Sequence, residues 1–162
     1  MQVFLSYAFG DFDAPNAARL RAVAAAYNIT ILLPDRTQAT HNGLPDDTQK
    51  KIKQSDAVIA LVTRTAHAQH VVALNLELQA AAQAGKPIIP LIEQGVPFRA
   101  VPNTPIVYFD RLNPAAHESA LINVLDQMRR QQKSKSDLTA LGWIVGIALG
   151  LVALGEIVND EE

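Results

Sequence analysis

The sequence predicts a three-layer α/β fold built on a parallel sheet, and two features carry that expectation. Five short, continuous apolar runs rich in Val, Ile and Leu suit strands buried on both faces. They alternate with helix-like stretches closed by turn residues, the order expected when crossover helices cover a parallel sheet. A chain of 162 residues is long enough for one such domain.

Taken in order, residues 2–6 (QVFLS) read as the first strand. Residues 13–27 read as a helix: Asp13 can cap it, Pro15 suits its first turn, and Leu20, Val23, Ala24 and Tyr27 form one apolar stripe. Asn28 turns the chain into a second strand, Ile29–Leu33. Residues 34–46 form a long polar loop punctuated by Pro and Asn-Gly, followed by a short helix over Asp47–Gln54. Asp56–Val62 is the third strand, and Val71–Ala84 a helix closed by Gly85. Ile88–Ile92 is the fourth strand, Ile106–Phe109 the fifth, and the last helix runs from Asn113 to Arg130. The expected order is flavodoxin-like, with ligands received beyond the carboxyl ends of the strands.

Composition removes several chemistries. There is no cysteine, hence no disulfide, thiolate metal site or cysteine nucleophile. The 14 Lys and Arg are scattered and the net charge is −2, so no basic footprint points to nucleic acid. Neither the dinucleotide-binding glycine pattern nor a P-loop occurs, and no nucleophile elbow surrounds Ser6. A phospho-acceptor Asp is missing at the end of strand 3, where the chain reads Val62-Thr63-Arg64, so Asp11 and Asp13 read as loop or capping residues. His67 and His70 have no third ligand nearby and read as surface residues; no metal site is expected.

Mean hydropathy is +0.08, and the excess sits at the carboxyl end. From Leu138 to Gly155 no residue is charged and only Thr139 is polar. Residues 138–155 carry no polar stripe and fall just short of a bilayer's hydrocarbon core; Ile157 and Val158 extend the span to 138–158 if Glu156 reaches toward the headgroups. Arg129, Arg130, Lys133 and Lys135 precede the segment, whereas Asp160, Glu161 and Glu162 follow it. That asymmetry predicts a single-pass, C-terminally anchored protein whose N-terminal domain faces the cytoplasm. The expected division is a domain over 1–130, a basic polar linker over 131–137, the membrane helix over 138–158 and an acidic tail over 159–162. Gly142, Gly146 and Gly150 recur every four residues and would form a close helix–helix seam. The competing reading of the segment is a hydrophobic helix buried in an oligomer or filament.

Three motifs in order then carry a family resemblance over residues 2–130. FLSYAFGD at 4–11 resembles the opening box of bacterial TIR (Toll/interleukin-1 receptor-like) domains. Residues 32–63 resemble that family's second strand, BB loop, short helix and third strand, and NLELQAAAQAGKPIIPLIE at 75–93 resembles its glutamate-bearing helix and fourth strand. Two departures stand out: Thr63 replaces a serine, and Leu76 replaces the aromatic usually beside the glutamate.

The resemblance implies an NAD⁺ glycohydrolase or cyclase that cleaves the nicotinamide–ribose bond, with NAD⁺ as substrate and no resident cofactor. Glu77 matches the catalytic glutamate; Ser6, Ala8 and Phe9 match positions near the nicotinamide ribose and base; Asp35 and Arg36 open the BB loop on the substrate side. Glu77 is also the only charged residue between Arg64 and Lys86. Two environments stay open for it: a solvated outer face, or a partly buried pocket that would raise its pKa. The resemblance further implies activity on self-assembly through the BB loop, with the membrane helix concentrating the domains, a possible separate activator protein, and a role in bacterial antiphage defence. A non-catalytic adaptor and a membrane-disrupting effector are the alternatives.

Overall fold

The computed structural model describes residues 1–7, 14–35, 43–64, 68–96, 106–110 and 112–133. They form a five-stranded parallel sheet with four helices. The strands are β1 (Gln2–Tyr7), β2 (Thr30–Leu32), β3 (Ala57–Val62), β4 (Ile88–Glu93) and β5 (Val107–Phe109). The helices are α1 (Ala14–Ala26), α2 (Asp46–Gln54), α3 (Ala68–Gln83) and α4 (Pro114–Lys133). Spatial order is β2-β1-β3-β4-β5, the doubly wound order expected from the sequence.

Side-chain alternation divides the core into two layers. Val3 and Leu5 of β1, Ile59 of β3 and Leu91 of β4 pack with Leu20 of α1 and Leu121 and Leu125 of α4. Phe4, Val58, Ala60 and Ile92 face the other way, against Ile52 of α2 and Leu74, Leu78 and Ala81 of α3. β3 is buried along its whole length, which is why AVIALV shows no polar alternation. Arg19 of α1 and Glu118 of α4 form an exposed ion pair, Nε to Oε1 at 2.5 Å, and the carboxylate holds the guanidinium above its usual range.

Helix ends follow from local chemistry. Asn28, at φ 57°, closes α1: the N–H of Ile29 donates to Ala24 O and that of Asn28 to Ala25 O. Gly85, at φ 64°, closes α3 in the same way, through Lys86 N–H to Ala81 O and Gly85 N–H to Ala82 O. This closure corrects the expected α1 stripe. Leu20 and Ala24 are buried, but Tyr27 is 48% exposed, because the helix stops at Ala26 and the left-handed turn sends Ile29 into the core instead.

Helix α4 continues to Lys133, three residues into the stretch the sequence assigns to the linker. Among the described residues no helix is long and apolar enough to cross a membrane. The segment 138–158 and its glycines Gly142, Gly146 and Gly150 lie outside the described residues.

Candidate active site

The carboxyl end of β1 sits at the point where the sheet's connections diverge, since β1 leads to β2 on one side and the chain returns to β3 on the other. In doubly wound sheets this crevice is where ligands bind. Ser6 is the penultimate residue of β1 and lies in register with Ala60 of β3. Ser6 points to the same layer as Phe4, towards α3, and has no exposed surface.

Helix α3 is built from Ala, Leu and Gln, residues of high helix propensity. Its inward stripe comprises Ala73, Leu74, Leu78 and Ala81, all buried, and Glu77 lies inside that stripe with no exposure. Of the two environments open from sequence, the outer solvated face is therefore excluded. The Ser6 hydroxyl donates to Glu77 Oε2 at 2.6 Å, a short O–H···O hydrogen bond. Strand and helix meet here because Ala60, the neighbour of Ser6 in the sheet, presents only a methyl group.

A second buried carboxylate went unassigned at the level of sequence. Glu93, the last residue of β4, is buried, and its Oε2 accepts the Arg64 backbone N–H at 2.9 Å. The Arg64 guanidinium in turn donates to Gln94 O, through Nε at 2.9 Å and through Nη2. Gly95, at φ 85°, leaves room for that guanidinium, which a Cβ would strike. The segments leaving β3 and β4 are thus tied together at the carboxyl end of the sheet. The available signal was an acidic residue closing the otherwise apolar strand IIPLIE.

Asp35 follows β2 at the same end of the sheet, and its N–H donates to the buried Thr48 Oγ1 at 3.3 Å, joining the start of the long loop to α2. Of the residues proposed from sequence, the structure brings Ser6 and Glu77 into contact and places Asp35 one strand away. Ala8, Phe9 and Arg36 lie outside the described residues. Among the described residues no three acidic or histidine side chains converge on a metal position. A depression on α1 and β2, lined by Arg21, Ala25, Asn28, Ile29, Thr30 and Ile31, contains no carboxylate.

Neither a family model nor a curated protein sequence matches the chain. Solved structures do resemble it in fold. The CMP N-glycosidase BcmB of Clostridium botulinum aligns with a TM-score of 0.50 at 17% identity, over 78% of this chain and 99% of that one. A 2-deoxyribosyltransferase of Bacillus psychrosaccharolyticus aligns with a TM-score of 0.50 at 14% identity, over 87% and 96%. The TIR domains of the activated Roq1 resistosome align at 0.45 and 13% identity, over 91% and 83%.

Proposed function

We propose that this chain cleaves the N-glycosidic bond of a nucleoside or nucleotide, with Glu77 as the acting carboxylate and the nicotinamide–ribose bond of NAD⁺ as the target. The observation that carries this reading is the fully buried Ser6–Glu77 pair at the carboxyl end of β1. A carboxylate in an apolar stripe is costly to bury, and packing alone gives no reason to keep it there. N-glycoside cleavage gives one: the ribose develops oxocarbenium character, and a fixed anion beside it stabilises that charge in a low-dielectric site. Nicotinamide departs as a neutral molecule, so the site needs no general acid for the leaving group. The two glycosidic-bond enzymes of similar fold support the bond class; the motifs at 4–11, 32–63 and 75–93 support NAD⁺ within it. The apolar segment at 138–158 supports a membrane-anchored protein that acts on self-assembly.

The test is direct. Purified full-length protein is incubated with NAD⁺, CMP and 2′-deoxynucleosides, and the released base is followed by chromatography. Nicotinamide release by the wild type, with a loss of at least about 10²-fold in Glu77→Ala, is the expected result. Release from CMP or deoxynucleosides alone would keep the bond class and replace the substrate. A wild type inert on all of them would overturn the enzyme reading and favour a non-catalytic adaptor, which Leu76 in the aromatic position supports.

A further inference from the structure

We infer that Ser6 is a positioning residue for Glu77, acting through the carboxylate rather than as a ligand for the substrate. The inference rests on Glu77 being the acting carboxylate. A serine hydroxyl has one proton, and here that proton is directed to Glu77 Oε2 at 2.6 Å, with neither side chain exposed. A glutamate side chain has three rotatable bonds, and a helix backbone restricts mainly the first of them. Ser6 is held by the parallel pairing of β1 with β3, in register with Ala60, so its oxygen is a fixed point 71 residues away in sequence. Anchoring Oε2 to that point defines where the carboxylate stands between α3 and the end of β1.

The same bond has an electrostatic effect. Burial disfavours an ionised carboxylate, whereas a hydrogen bond donated to it favours the charged form. A ribose that develops positive charge is stabilised only by the anion. Ser6 thus places Glu77, and donates to it, within an apolar layer formed by Phe4, Leu74 and Leu78. Misplacing a reacting group by about 1 Å costs on the order of 10²-fold in rate, which sets the scale of the effect.

The experiment compares Ser6→Ala, Ser6→Cys and Ser6→Thr with wild type and Glu77→Gln, all full length, in NAD⁺ cleavage with kcat and KM determined separately. Thermal melts of the same samples report folding. Ser6→Ala and Ser6→Cys are expected to lose about 10–10²-fold in kcat with KM within about twofold. Cysteine nearly preserves the volume but is a weak donor, and Ser6→Thr, which retains the hydroxyl but adds a methyl group to a buried layer, is expected to keep a higher rate than Ser6→Cys at matched melting temperature. A raised KM with unchanged kcat would make Ser6 a substrate ligand and overturn the inference. Ser6→Cys at wild-type rate would reduce Ser6 to a space-filling role and overturn it as well. If Ser6→Ala does not fold, the Cys and Thr variants decide. Full activity in Ser6→Ala beside an inert Glu77→Gln would remove this inference alone. Wild-type activity in Glu77→Gln, or an inert wild type, would remove the reading of the site and this inference with it.

Discussion

Glu93 shows how a buried acid can tie two segments of the chain together. Its carboxylate accepts the Arg64 N–H as the chain leaves β3, and Arg64 reaches back to Gln94 just after β4. A hydrogen bond from a backbone donor to a carboxylate contributes about 1.5–3 kcal/mol, and this one is part-buried. Glu93→Ala is therefore expected to lower the unfolding free energy by that amount in urea titrations. Glu93→Gln, which still offers an acceptor oxygen, should lose roughly half as much. Equal stability of both variants and the wild type would show that the Arg64 amide finds another partner. Glu77 differs in what donates to its Oε2: a side-chain hydroxyl on β1 rather than a backbone N–H.

The α3–β1–β3 layer depends on small residues at close approach. Ala60 and Ala81 are both fully buried, and Ala60 stands beside Ser6. Ala60→Val would add two methyl groups to a packed layer, an insertion that costs about 1–3 kcal/mol through displaced neighbours. Thermal melts should register that loss, and glycosidic-bond cleavage should fall further than the melt explains, because the displaced neighbours include Ser6. A stability loss with unchanged rate would show that the pair tolerates movement of the sheet. Turn chemistry at the element ends contributes separately. Gly85 has open space around its missing Cβ, so the cost of Gly85→Ala comes from its positive φ alone, about 1 kcal/mol.

For the molecule as a whole, charge and hydropathy are distributed unevenly: residues 1–137 carry 12 acids and 14 bases, whereas residues 138–162 carry 4 acids and no base. A membrane anchor would confine the domains to a surface and raise their effective concentration without new contacts between them. Full-length protein is therefore expected to sediment with membranes and a 1–137 truncation to remain in the supernatant. The truncation's NAD⁺ cleavage per molecule should be low and should rise with protein concentration. Membrane association that survives the truncation would refute the anchor. Toxicity that survives it while NAD⁺ falls would exclude a membrane-disrupting effector.

The strands and helices were legible because their signals are local. Runs such as VFL, AVIALV and IIPLI identify buried parallel strands, and Asn28 and Gly85 announce helix ends. Glu77 stood out as a lone charge in an apolar helix, and the three motifs marked Ser6 and Asp35 near it. Periodicity alone misassigned Tyr27, since a single left-handed residue after the helix changed which side chain turned inward. The sequence by itself determined the order of elements, the isolated carboxylate and the apolar carboxyl-terminal segment, all properties of neighbouring residues. Only the tertiary structure decided that Glu77 is wholly buried, that Ser6 holds its Oε2, and that Glu93 ties Arg64 to the end of β4. Those facts depend on parallel strand register and on a helix seated across the sheet, which bring together groups 71 and 29 residues apart. No local pattern encodes such distances.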